Sequence, residues 1–182
     1  MSADNPRHDF DLEAEVRDLA ARRDITDAVQ RYMRGQDRLL PDLHRSAFHE
    51  DAFVDCGLYA GSAHGFVDFA QGFLGDLKGS QHLIGQVRIE MDGEAAANGE
   101  VYFIAWHRLV EEDGEKDLIV AGRYVDRYEK RRGEWRIAKR REIIDWARTD
   151  PAADGFMAAN ADKLVVGGRR DEDFSVTRAW DQ

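Results

Sequence analysis

Apolar residues recur at steps of three and four along the first part of the chain and in alternation along the second. Between residues 11 and 36 helical spacing is kept by Leu12, Val16 and Leu19, then by Ile25, Ala28, Val29, Tyr32 and Met33. This predicts helix over 11–36, in one run or in two pieces, with Asp24, followed three residues on by Asp27, as the cap of the second piece. Pro41 is placed to open a short helix through "DLHRSAFHE"; "AFVDCGLY" then reads as a strand and "HGFVDFAQGFLGDL" as another short helix.

From Gln81 the period changes. Four long strand-like runs follow, separated by "DGEAAANG", "EEDGEKD" and "KRRGE", glycine-bearing turn signals at hairpin spacing. Helices first and a long antiparallel meander afterwards predict an α+β domain whose sheet buries one face against the helices. A sheet curled around a helix makes a cone with an open mouth. The domain is expected over 11–148, after a flexible N-terminus at 1–10. The remainder, 149–182, is rich in Asp, Arg, Gly and Ala with scattered Phe156, Phe174 and Trp180, and reads as an arm or lid over a neighbour or as a partly disordered extension.

Composition narrows the classes of function. The 182 residues are 43% hydrophobic, enough for one domain with its own core. A formal net charge of -10 argues against nucleic acid and anionic membrane surfaces as partners. The basic run "RYEKRRGEWRIAKRR" straddles an expected hairpin turn and reads as a solvated, ion-paired hairpin. One cysteine, Cys56, leaves no disulfide framework, and no stretch has the length of a signal peptide or membrane span, so a cytoplasmic protein is expected.

The motifs are few. His44 and His49 are five apart, a poor metal pair on a helix, and glycines 57, 61 and 65 match no nucleotide-loop spacing. No nucleophile elbow occurs, so acid–base chemistry by Asp, His, Tyr and Arg is what the chain offers, with no metal or organic cofactor. His82, in "GSQHLIGQVRIEM", stands near a strand start, where a histidine can face a cavity mouth. Alternation does not favour it: Leu83, Val87, Ile89 and Met91 form the apolar set, and His82 falls with Gln86, Arg88 and Glu90. Asp37 is the other anomaly. Four-residue steps from Val29 through Met33 reach a carboxylate where an apolar side chain is expected.

The order of "RYMRGQD", "EDAFVDCGLYAG", "QHLIGQVRIE", "NGEVYFIAWHRLVE" and "GRYVDRYEKRRGEWRIAKRR" resembles the SnoaL-like branch of the NTF2-like superfamily of cone-shaped α+β barrels, over about residues 12–147. That branch contains scytalone dehydratase, bile-acid 7α-dehydratase and hexachlorocyclohexane dehydrochlorinase. The resemblance implies that Asp37 hydrogen-bonds His82 and that His82 is a general base. It further implies roles for Arg140, five residues after Trp135, for Tyr32, five before Asp37, and for Tyr59, in oxyanion stabilisation or proton delivery. A second histidine of scytalone dehydratase has its counterpart near His107, whose direction the alternation leaves open because Tyr102, Ile104 and Trp106 hold the other face.

Phe53, Phe69, Phe73 and Trp106 are expected to line a cavity for a small hydrophobic, aromatic or polycyclic substrate; the same side chains also suit an ordinary core. The expected activity is a cofactor-independent lyase that abstracts a proton and expels water, halide or a carbonyl fragment such as formaldehyde. The alternatives are an isomerase or cyclase with the same base, and a non-catalytic ligand-binding protein or dioxygenase small subunit. The resemblance also implies a homo-oligomer, a trimer before a dimer.

Overall fold

The computed structural model describes residues 11–180, so the expected flexible N-terminus at 1–10 lies outside the described residues. Helix α1 runs unbroken from Leu12 to Asp37, capped by Asp11, whose carboxylate accepts from the N–H groups of Glu13 (3.0 Å) and Ala14 (3.1 Å). Asp24 is therefore not a cap; it pairs with Arg23 inside the helix. The two apolar phases lie on roughly opposite sides at 3.6 residues per turn. Ala21, Ile25, Val29, Tyr32 and Met33 are buried, whereas Leu12, Val16 and Leu19 face solvent.

The end of α1 is fixed by a Schellman turn. Leu40 N–H donates to Gly35 O (2.8 Å) and Leu39 N–H to Gln36 O (3.4 Å), with Leu39 held at φ 51°. A leucine in this left-handed region costs about 1 kcal/mol, offset here by burial of its side chain. Gly35 lets the next helix, α2 (Pro41–Ser46), come close: a Cβ at 35 would stand 2.5 Å from the His44 nitrogen.

Strands β1 (Phe48–Asp55) and β2 (Ala60–Ser62) lead into α3 (Ala63–Gly75), capped by Ser62. The long strands follow: β3 (Gly79–Met91), β4 (Ala96–Glu111), β5 (Gly114–Arg131) and β6 (Glu134–Pro151). Arg132 and Gly133, both at positive φ (54° and 87°), make the tight β5–β6 turn in the sense that suits right-handed strand twist. The sheet order is β2-β1-β6-β5-β4-β3, antiparallel except for β1 beside β6, so the expected meander is extended into a six-stranded mixed sheet that does not close. The architecture is the α+β cone anticipated. Its concave face carries Val101, Phe103, Tyr124, Tyr128 and Ile137 against Ile25, Val29, Tyr32, Phe66 and Val67 of the helices.

Strand β3 contains a bulge. Ile84 pairs with Phe103 and Val87 with Val101, so three steps on β3 match two on β4. The extra residue reverses the alternation: His82 and Ile84 before it share the inner face with Val87, Ile89 and Met91 after it, and Leu83 turns outward, 59% exposed.

Beyond β6, residues 152–180 form α4 (Gly155–Ala159), a 3-10 turn (Arg170–Glu172) and α5 (Phe174–Thr177) and lie against the end of α1. Arg38 donates to Gly168 O (2.8 Å) and Asp173 (3.2 Å), and Arg170 N–H to Arg38 O (2.7 Å). Arg169 reaches Leu74 O (2.8 Å), Leu77 O (2.9 Å) and the Ser80 hydroxyl (3.1 Å). No described helix is long and apolar enough to cross a membrane.

Candidate active site

Asp37 is the last residue of α1, where a negative charge opposes the helix dipole and gains nothing locally. Its compensation comes from β3. The His82 backbone N–H donates to one carboxylate oxygen (2.9 Å) and His82 Nδ1 meets the other (2.7 Å), with side chains only 10% and 7% exposed. A carboxylate only accepts, so Nδ1 carries the hydrogen, and in the neutral ring the lone pair is then on Nε2. The bulge in β3 makes this possible, because it brings His82 to the concave side.

His107 settles on the same side. It is buried, its ring standing edge-on to that of His82 with centroids 5.2 Å apart, and its Nδ1 has no partner among the described residues. Burial, reinforced by the neighbouring His82, lowers its pKa to about 4, so it is neutral at physiological pH. Phe73 lies 6.1 Å from the His107 ring, and Phe69 stacks on Tyr59 at 5.6 Å; both phenylalanines are exposed along α3.

Several expected positions are corrected. Phe53 is 46% exposed on β1 between the buried Ala52 and Val54, so strand alternation turns it away from the interior. Trp106 also lies on the outer face, where its indole N–H donates to Asp117 (2.6 Å) and Arg108 stacks over its ring at 5.3 Å. It borders a cleft of about 650 Å³ between β3 and the C-terminal segment, which is separate from His82. The Tyr59 hydroxyl donates to Ser62 O (3.0 Å).

Arg140 is fully buried, and its Nη1 has no partner among the described residues. Its Nε and Nη2 each bind the Asp126 carboxylate at 2.7 Å, both side chains are 0% exposed, and its guanidinium is held between the rings of Tyr32 and Tyr124 at 4.1 Å each. Tyr128 donates a further hydrogen bond to Asp126 (2.6 Å). Burial also pushes the Tyr32 hydroxyl well above its ordinary pKa. Arg140 and Tyr32 therefore belong to one packed ion-pair cluster with Asp126 and Tyr124.

Two acids escaped the sequence reading. Asp126 and Glu142 both occupy inward positions, opposite Arg140 and Tyr124 in the β5–β6 pairing. The signal for each is a charged residue on the buried parity of a strand. Burial pushes the Glu142 carboxyl above the ordinary range, against the opposing pull of Arg140 and His82. Among the described residues no three His, Cys, Asp or Glu side chains converge as metal ligands; His44 is buried in α2 beside Gln71, and His49 Nε2 meets Glu129 O at 2.8 Å.

Comparison with known proteins agrees with this architecture. A candidate scytalone dehydratase from Novosphingobium aromaticivorans superposes with a TM-score of 0.67 at 21% identity, covering 76% of this chain and 93% of that one. A type 2 hexachlorocyclohexane dehydrochlorinase gives 0.70 at 22% identity, covering 78% and 99%. A cystatin-like-fold protein from Nostoc punctiforme gives 0.56 at 15%, covering 68% and 90%. No curated protein sequence matches. The SnoaL-like domain model matches residues 17–141, which takes in α1 with Asp37, the bulged strand with His82 and the ion-paired end of β6, and by that match the chain belongs to the SnoaL-like family.

Proposed function

We propose that the protein is a cofactor-independent lyase in which His82 abstracts a proton from a small hydrophobic, ring-containing substrate. The observation that carries this reading is the contact between His82 Nδ1 and Asp37 at 2.7 Å, which leaves Nε2 with a lone pair on the concave face. Asp37 holds the tautomer and stabilises the imidazolium that forms, and a base so placed contributes roughly 10²- to 10⁴-fold in rate. Neutral His107 is the adjacent polar group able to orient a carbonyl or hydroxyl. Phe69 and Phe73 supply apolar contact at the rim. The dehydratase and dehydrochlorinase names of the structural neighbours support elimination as the reaction type.

The test is incubation of the purified protein with hydroxylated and halogenated aromatic and polycyclic compounds, read by mass spectrometry beside His82→Ala. A mass loss confined to the wild type supports the lyase, and the lost fragment names the leaving group. Equal product from both proteins would remove His82 from the chemistry.

A second reading is a subunit whose cone stabilises a partner. It is favoured by the apolar outer face, where Leu83, Tyr102, Ile104 and Trp146 are exposed together. Self-association, as a trimer or dimer, covers the same face. Light scattering of the purified chain separates the two: a discrete homo-oligomer supports the enzyme, and co-purification with a larger partner supports the subunit.

A further inference from the structure

The segment after β6 lies outside the residues matched by the family model, which ends at 141, yet it docks on the two elements that carry Asp37 and His82. Three consecutive residues make the junction. Gly168 O accepts from Arg38 Nη1 (2.8 Å) and the Arg170 N–H donates to Arg38 O (2.7 Å), which fixes the residue immediately after Asp37. Arg169, between them, reaches instead to the end of α3 and the start of β3. Its Nη1 donates to Leu74 O (2.8 Å) and Leu77 O (2.9 Å), and its Nη2 to the Ser80 hydroxyl (3.1 Å).

Each contact has a local reason. Leu74 O is among the last carbonyls of α3, the end of a helix dipole that favours a cation, and the guanidinium fork reaches three oxygens at once. Ser80 is buried, pairs with His107 in the β3–β4 register and precedes His82 by two, so it shares a face of the strand with His82. Asp173 closes the loop by accepting from the Gly168 N–H (2.9 Å) and from Arg38 (3.2 Å). A Cβ at 168 would stand 3.0 Å from the Asp173 backbone, so this path admits only glycine there.

The loop adds a second tie between α1 and β3. Among the described residues these two elements share hydrogen bonds at only two places: from Arg22 Nη1 to Ile89 O (2.8 Å) at the far end, and between His82 and Asp37 at this one. Without the loop the pair would be the sole hydrogen-bonded link at its own end. With it, Arg38 and Ser80 are joined through three successive residues, and the separation of carboxylate and imidazole is set from outside the pair. We propose that Arg169 is a positioning residue for the Asp37–His82 pair, acting through Ser80, so that the segment after β6 is a working part of the site. The consequence for turnover rests on His82 being the base; the consequence for geometry does not.

The test reads the His82 Nδ1 proton in ¹⁵N-histidine-labelled full chain, assigned by its loss in His82→Gln. Its exchange with water is expected to quicken roughly tenfold in Arg169→Gln and in Ser80→Ala, the change that loss of one hydrogen bond makes to a local opening equilibrium. Ser80→Ala deletes a single hydroxyl and carries the test alone if Arg169→Gln does not fold. Arg34→Gln removes another contact of the same segment, to the Ser175 hydroxyl at 3.1 Å, and should exchange like the wild type. Equal acceleration in all three variants would make Arg169 a tail anchor and overturn the proposal. So would unchanged exchange in Ser80→Ala and Arg169→Gln, or a wild type with no protected Nδ1 proton, whatever the activity. On a compound that the wild type converts and His82→Gln does not, Arg169→Gln should lose up to roughly 10²-fold in kcat with little change in KM. Arg169→Lys, which keeps the charge but not the fork, should recover part of that loss. Wild-type kcat in Arg169→Gln would overturn the positioning role. A wild type that converts nothing overturns the lyase, and the exchange rates then decide the role of Arg169 by themselves.

Discussion

Two buried acids on the inner surface of this cone each hold a nitrogen base, Arg140 in one case and His82 in the other, and they differ in how open that base is. Asp126 binds Arg140 through both oxygens and Tyr128 besides, in a cluster with no exposure at all. Asp37 binds His82 through backbone and ring, and the far ring nitrogen is left free. The first pair uses Arg140 Nε and Nη2 and both carboxylate oxygens to pack β5 and β6 beneath α1, and leaves Arg140 Nη1 buried without a partner among the described residues. The second fixes the His82 ring edge-on to that of His107, with the far nitrogen unengaged. Burial of charge is common to both and each leaves a nitrogen without a partner, so what distinguishes them is access: Arg140 Nη1 is sealed in a pair with 0% exposure, whereas the His82 side chain keeps 7%.

The comparison breaks most visibly at Asp126. Asp126→Ala leaves the Arg140 charge buried without compensation and is expected to cost about 3–5 kcal/mol of stability, read as a fall in the urea midpoint. Asp37→Asn is the opposite case. It keeps shape and one acceptor while removing a charge from the unfavourable end of a helix dipole, so the thermal midpoint should hold or rise slightly, while turnover falls by roughly 10²- to 10⁴-fold. If Asp37→Asn unfolds the protein, the two pairs are of one kind.

Acid sharpens the contrast through the neutral histidines around these pairs. Burial lowers His44 to about 3 and His107 to about 4, against an ordinary value near 6.5. The unfolded chain binds these protons more readily, so the stability they contribute is whole above about pH 6.5 and is lost as pH falls towards 4 and then 3, at about 1.4 kcal/mol per pH unit for each group. His44→Phe, which keeps the ring among Tyr32, Phe48 and Phe66, should flatten the denaturant midpoint between pH 6 and pH 4. A surface pair sets the baseline: Arg123 grips Asp145 at 3.0 and 3.1 Å in solvent, and Asp145→Ala should leave the melting midpoint where it was.

How much of this was legible beforehand follows from the length over which each signal acts. Helix and strand order came through because each element carries its own periodicity, and Asp37 stood out because it interrupts one. The face of His82 did not, because a bulge at Gly85 and Gln86 resets the alternation and nothing in "HLIGQVRIE" announces the pairing partner that creates it. Phe53 and Trp106 were misplaced for a related reason: aromatic character suggests a cavity, but strand parity decides direction. Asp126 and Glu142 immediately flank the run of charges that reads as a solvated hairpin, and only tertiary pairing separates Arg140 and Glu142 from the exposed Arg141 between them. The single continuous α1 was obscured because its exposed apolar stripe mimics a second buried face.

The most direct measurement of the central claim is the tautomer of His82, from ¹⁵N correlation spectra of histidine-labelled protein at a pH where the ring is neutral. The account predicts hydrogen on Nδ1 and a bare Nε2 in the wild type, with the two tautomers mixed in Asp37→Asn. Hydrogen on Nε2 in the wild type would contradict it, because the nitrogen facing the open space would then have no lone pair with which to take a proton.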